Sequence, residues 1–302
     1  MRPGPTAPPT PSGPSGTLVV ELHAPKADVT TARLATLDVA TGRITELGVE
    51  GSFFAHDAVP GTSALVATIT TSYLLSRGPT GWTAAKLADE IWLLSPDGKR
   101  GFGICNDSDY CVGDITAGGA LAHPVKVAAE QLFALHWLAD GRALLSGDGA
   151  IIAVDGTTGK VTNLGAAAAR SEPVVSPTGA HVVWVEHGRP IATVAPLADL
   201  TQVKHFDFGA GRDAECGFAG ETHLACAVGN RLIAVDLATG ALTNLAADTW
   251  VSRPIASPDG RFVAYPTKTT RADAIAITPV DHAAARPLAP TADDQLPLMW
   301  LP

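Results

Sequence analysis

The turn Ser-Pro-x-Gly recurs at Ser95 ("SPDG"), Ser176 ("SPTG") and Ser257 ("SPDG"), 81 residues apart both times. A second motif keeps the same interval. "TGKVTNLG" opens at Thr158 and "TGALTNLA" at Thr239, again 81 apart, and "TGRITELG" at Thr41 lies 117 residues before Thr158, close to three units of 39. Weaker copies fill the half periods: "AVPGTSALVATI" around Gly61, "HWLADGRALL" around Gly141 and "CGFAGETHLACAV" around Gly220. With Gly98, Gly179 and Gly260, these anchors set a unit of about 40 residues, the length of a propeller blade.

Each unit holds short runs rich in Val, Ile and Ala, bounded by Gly, Pro and Asp, which is the pattern of antiparallel strands and tight turns. The helical spacing that a solenoid of helices would need is missing. Within a unit, Pro presets φ at the first turn position and Asp-Gly tolerates left-handed geometry, so the chain reverses from inner strand A into strand B. In "LIAVDLATGALTNL", strand C ends near Asp236, Thr239 and Gly240 turn, and Ala241 to Leu245 form outer strand D. The C-terminal "MWLP" (Met299 to Pro302) aligns with "HWLAD" of the fourth unit and reads as a strand A that stops before its turn. "SGTLVVELHAP", Ser15 to Pro25, supplies the missing turn glycine and strand B. The chain is therefore expected to be all-β, a seven-bladed β-propeller of four-stranded antiparallel blades, with blade one closed by a C-terminal strand. Such closure removes the sheet edge that would otherwise invite aggregation.

Composition agrees with this reading. Charged residues make up 17% of the 302 and hydrophobic residues 46%, so the elements must be buried on both faces. The repeat makes residues 17–302 a single propeller domain rather than two domains. Residues 1–16, "MRPGPTAPPTPSGPSG", carry too few apolar side chains to offset the cost of ordering them and read as a disordered linker. A linker directly after Met1 points to a signal, lipid anchor or membrane segment upstream in the native gene; the alternative is a simple tail. A net charge of -9 argues against a surface that tracks phosphates, so no nucleic-acid partner is expected. No apolar run is long enough for a spanning helix, so no direct membrane insertion is expected.

On these residues the chain resembles the TolB-type, WD40-like propellers, whose blades carry a W-S-P-D-G outline followed by apolar-apolar-x-D-x-x-T-G. The likeness covers roughly residues 15 to 302 and rests on "IASPDGRFVAY", "VVSPTGAHVVWV", "WLLSPDGKRGF", "IAVDGTTG" and "IAVDLATG". It implies docking or sensing platforms with no shared catalytic set. The Trp-Asp and Gly-His dipeptides of true WD40 repeats are missing, and the extra N-terminal domain of TolB itself is not expected.

Candidate site residues lie on the face opposite the A to B turns. Two long B to C loops are expected at His23 to Arg33 and at Pro266 to Asp273, on neighbouring blades. Lys26, Arg33, Lys268 and Arg271 would form a basic ridge there for an anionic partner, the alternative being solvated loops. Just before each inner strand, Glu90, Glu130, Glu172, Asp213, Arg253 and Asp294 are expected around the channel mouth, where they would grip a peptide or a cation or simply keep the mouth soluble. Cys105 and Cys111 flank a hairpin loop, and Cys216 and Cys226 flank the A to B turn of blade six. Both pairs lie within reach of a disulfide, which would favour an oxidising compartment; the alternative is four buried thiols. Asn106, Asp107 and Asp109 read as a structural turn rather than a calcium loop, and Asn106-Asp107-Ser108 fits an N-glycosylation sequon.

The histidines are scattered singly without a linear catalytic or metal motif, His56 and His136 being those placed on inner strands. No cofactor is expected. The sequence points to a monomeric, non-enzymatic propeller, periplasmic or extracellular, that binds a protein or peptide on its variable face. The alternatives are a metal-assisted hydrolase or lyase with its site at the channel mouth, or the propeller half of a larger prolyl-peptidase-like enzyme.

Overall fold

The computed structural model describes residues 13–24, 32–59, 63–68, 71–106, 109–129, 132–147, 149–166, 173–185, 188–209, 214–247, 254–268, 273–288 and 293–302. Seven four-stranded antiparallel sheets form a ring. From its inner strand outward, blade one runs β28 (Asp294–Leu301), β1 (Thr17–His23), β2 (Ala32–Asp38) and β3 (Ile44–Gly51). Blade two is β4 (Phe54–Val59), β5 (Ser63–Ala67), β6 (Ser72–Gly78) and β7 (Gly81–Lys86). Blade three is β8 (Glu90–Leu94), β9 (Arg100–Cys105), β10 (Asp109–Ile115) and β11 (Leu121–Lys126). Blade four is β12 (Phe133–Trp137), β13 (Arg142–Gly147), β14 (Ala150–Asp155) and β15 (Val161–Ala166). Blade five is β16 (Val174–Val175), β17 (His181–Val185), β18 (Ile191–Pro196) and β19 (Lys204–Asp207). Blade six is β20 (Ala214–Ala219), β21 (His223–Val228), β22 (Arg231–Asp236) and β23 (Leu242–Ala246). Blade seven is β24 (Ile255–Ala256), β25 (Phe262–Lys268), β26 (Asp273–Pro279) and β27 (Arg286–Pro287).

The expected closure is present. β28 pairs with β1 from Thr17↔Leu301 to His23↔Asp294. The Trp300 indole Nε1 donates to the Ser15 carbonyl at 3.0 Å, and the Val39 amide donates to the Gly16 carbonyl at 3.1 Å. Ser15 and Gly16 are thus bonded into blade one.

The core is divided among the seven gaps between blades. Leu18, Val20 and Leu22 of β1 face blade seven and pack with Ala264, Ile277 and Trp300, while Val19 on the opposite face packs with Leu34, Val66 and Leu75 towards blade two. In β21, Leu224, Cys226 and Val228 face blade five, and Ala225 and Ala227 face blade seven. Alternate side chains of one strand therefore enter different clusters. Both faces of each blade are apolar for this reason, and few charges fit between them.

The repeated turn is a lock made of hydrogen bonds. Ser257 is buried; its Oγ donates to Asp259 Oδ1 at 2.5 Å and accepts from the Phe262 amide at 3.0 Å, while the Gly260 amide donates to the Ser257 carbonyl at 2.8 Å. Ser95 repeats this with Asp97, Arg100 and Gly98 at 2.6, 2.9 and 2.7 Å. Ser176 repeats the backbone half with His181 and Gly179. The anchors Gly98, Gly141, Gly179, Gly220 and Gly260 all have positive φ, between 65° and 90°. Gly61 lies outside the described residues. At the C to D turns, Asp38, Asp155 and Asp236 each accept the amide of the Thr three residues on, at 2.7 to 2.8 Å.

These bonds to the ionised form lower the turn carboxylates below the ordinary aspartate value of 3.8: Asp97 chiefly through the Ser95 hydroxyl, Asp38 through the Thr41 hydroxyl, Asp155 through the Thr158 amide and Asp236 through the Thr239 amide. A group whose pKa is lower folded than unfolded stabilises the fold above its unfolded value and loses that effect as the pH falls through the folded one. The urea midpoint is therefore expected to stay level from pH 7 to about pH 5 and to drop below about pH 4. An Asp155→Asn, Asp236→Asn double variant should show a shallower acid limb; a midpoint constant to pH 2.5 in the parent protein would contradict this.

The glycines separate two costs. A Cβ on Gly260 would lie 2.7 Å from the Gly220 Cα of the neighbouring blade, whereas one on Gly98 meets nothing within 4 Å, although both residues have φ of +69°. Gly98→Ala is expected to cost only the conformational penalty, about 1–2 kcal/mol. Gly260→Ala should cost distinctly more in the same urea titration, because blades six and seven must also move apart.

Candidate functional site

Hydrogen-bonded turns occupy one face of the ring, and the starts of the inner strands emerge on the other. Glu90 and Asp294 are the first residues of β8 and β28, Arg33 lies in β2, and Lys268 ends β25 rather than sitting on a loop. Pro266 and Asp273 also belong to strands rather than to the expected long loop, and residues 269–272 between those strands lie outside the described residues. Lys26, Glu130, Glu172, Asp213, Arg253 and Arg271 lie outside the described residues.

Arg33 differs from an open basic ridge. Its Nη1 and Nη2 meet the carboxylates of Glu46 and Asp293, each at 2.5 Å. Burial pulls the Arg33 guanidinium down, but these two carboxylates outweigh it and raise its pKa. Arg33 thus neutralises acidic groups of its own blade. Nearby, the buried Glu21 accepts the Phe53 amide at 2.7 Å on one oxygen and faces His23 Nε2 at 3.2 Å with the other. This tie holds the passage from blade one into blade two.

The more distinctive sector spans blades three to five. β8 bulges at Trp92, since Ile91 pairs with Gly103 and Leu93 with the next residue, Phe102. Gly103 permits the bulge: a Cβ there would run into the Glu90 carbonyl and lie 2.8 Å from the Ile91 Cα. The re-aimed indole donates from Nε1 to Glu90 Oε1 at 2.9 Å and packs edge-on against Phe102 and Tyr110, with centroids 6.0 and 5.5 Å away. Tyr110 Oη in turn accepts the Leu132 amide at 3.3 Å. That contact carries the block to the start of β12, where Phe133 is 60% exposed. Val174, the first residue of the adjoining inner strand β16, is 38% exposed.

Only four large hydrophobic side chains are exposed among the described residues, and these two open adjacent inner strands at the same end. Sequence reading picked Glu90 but passed over Trp92, Phe133 and Val174. The run "QLFALHW" looks like one more inner strand, and nothing in its local pattern marks its first aromatic residue as exposed.

His136 lies half-buried on β12, and β4 contains His56. Among the described residues no group of three or more His, Cys, Asp or Glu side chains is placed to hold a metal ion. No helix among them is long and apolar enough to cross a membrane.

Both expected disulfides are present. Cys105–Cys111 bridges β9 and β10 with Cα atoms 6.0 Å apart, and Cys216–Cys226 joins directly opposed residues of β20 and β21 at 4.1 Å. No free cysteine remains among the described residues. This pairing favours a protein that matures outside the cytoplasm.

No protein-family model and no curated protein sequence matches the chain. Solved structures do share its fold. TolB from Acinetobacter baumannii matches with a TM-score of 0.54 at 15% identity, covering 95% of this chain and 67% of that one. A candidate TolB from Agrobacterium tumefaciens matches with a TM-score of 0.50 at 12% identity, over 96% and 100%. A candidate 6-phosphogluconolactonase from Bacteroides fragilis matches with a TM-score of 0.60 at 12% identity, over 96% and 99%. At such identities the likeness establishes the propeller, in agreement with the TolB-type pattern of the repeats, and leaves function to the site.

Loop closure sets the expected worth of the bridges. Replacing Cys216 and Cys226 together by alanine frees a 10-residue separation and should lower the unfolding free energy by about 2–3 kcal/mol. Dithiothreitol should shift the urea midpoint of the parent protein more than that of this variant; equal shifts would mean that this bridge contributes nothing.

Proposed function

We propose that this chain is an extracytoplasmic docking propeller that binds a protein or peptide on the face bearing the channel mouth, working in the periplasm or outside the cell. The observation that carries the reading is the pair Phe133 and Val174. Single exposed apolar side chains are ordinary on a protein surface, whereas a grouped pair marks a candidate contact, and here two open adjacent inner strands at the mouth of the ring. The opposite face spends its Ser, Asp and Thr side chains on its own turns, so its polar groups are less available to a partner.

The test is a cross-linked pull-down from a native envelope extract. The parent protein is compared with Phe133→Asp and with Lys160→Glu, the latter lying beside a C to D turn on the far face. Capture is expected from the parent and from Lys160→Glu, with at least a tenfold loss in Phe133→Asp at unchanged thermal stability. Equal capture by all three would sink the mouth as the docking surface.

A further inference from the structure

The mouth sector also indicates what kind of segment it takes. Glu90, Trp92, Tyr110, Leu132 and Phe133 form one connected series: carboxylate to indole, indole to phenol ring, phenol oxygen to the Leu132 amide, and then the exposed ring. The carboxylate is therefore fixed beside an aromatic wall, and the wall leads to an apolar step made by Phe133 and Val174.

We infer that this sector accepts an extended peptide presenting an apolar side chain next to an arginine or lysine, the apolar group covering Phe133 and Val174 and the cation resting on the Glu90 carboxylate oxygen that Trp92 does not use. The inference rests on the docking reading above and specifies its partner.

Three physical points carry it. Glu90 uses one oxygen for the Trp92 N–H, a neutral donor, so the pair retains its full negative charge. A cation on the Glu90 carboxylate gains from that charge, and the gain grows as the peptide displaces water from the mouth. The chain as a whole has a net charge of -9, which favours approach of a basic segment and disfavours an acidic one. An apolar ligand without a cation would leave the Glu90 carboxylate partly desolvated and uncompensated, which costs affinity. A lone cation would leave Phe133 in water.

The test uses the full chain and three fluorescein-labelled peptides of Gly and Ser, with Leu-Arg, Leu-Glu or Ser-Arg at the centre, read by fluorescence anisotropy at low and moderate salt. The Leu-Arg peptide is expected to bind at least tenfold more tightly than either of the others, and its affinity should weaken as salt is raised. Phe133→Ser should bring Leu-Arg down to the level of Ser-Arg. Glu90→Gln, which keeps an oxygen acceptor for the Trp92 N–H, should bring it down to the level of Leu-Glu.

Equal binding of the three peptides, or a Leu-Arg affinity untouched by Phe133→Ser, overturns the inference. Preference for Leu-Glu that is lost in Phe133→Ser overturns the cationic specificity while the docking reading stands. No binding of any peptide, with partner capture still lost in Phe133→Asp, likewise defeats the inference alone. Capture that survives Phe133→Asp defeats the docking reading itself.

Discussion

The packing of each blade between two neighbours is the constraint on which the rest of the structure depends. A single four-stranded sheet with both faces apolar is unstable in water, and only a closed ring covers all of those faces at once. Leu18 and Val19 are adjacent in sequence yet enter clusters on opposite sides of blade one. Closure is consequently cooperative. Without β28, the faces of blades one and seven that Trp300 seals would be open, and Ser15 would lose its indole partner.

That packing leaves little freedom for the turns. Gly220 and Gly260 approach so closely across the gap between blades six and seven that a side chain on Gly260 would collide with the Gly220 backbone, and both hold positive φ. The buried Ser95, Ser176 and Ser257 then satisfy amides that have no strand partner. One face of the ring is thus committed to holding itself together, and chemistry is free to vary only where the inner strands begin. The bulge at Trp92 belongs to that second face. The same irregularity recurs in β4 and β12, and in β8 it accompanies an indole hydrogen-bonded to a carboxylate.

Much of this was legible beforehand because turns are local. The repeats predicted the strand reversals at Gly98, Gly141, Gly179, Gly220 and Gly260, and the aspartate-threonine turns at Asp155 and Asp236, from side chains that bond within a few residues of themselves. The two cysteine pairs were legible for the same reason, since each flanks a short hairpin. The candidate site was less so. Arg33 read as a basic contact, but its partners Glu46 and Asp293 are brought to it by strand pairing and by ring closure.

The period, the number of blades and the manner of closure are written in the residues themselves, because each repeat carries its own turn chemistry and the incomplete unit at one end complements the other. Which side chains meet at the mouth depends instead on how the blades pack. Trp92, Tyr110 and Phe133 come from strands of two blades, and a bulge permitted by Gly103 sets the direction of the indole. Such meetings arise from contacts between residues far apart in the chain, and these follow from packing rather than from local pattern.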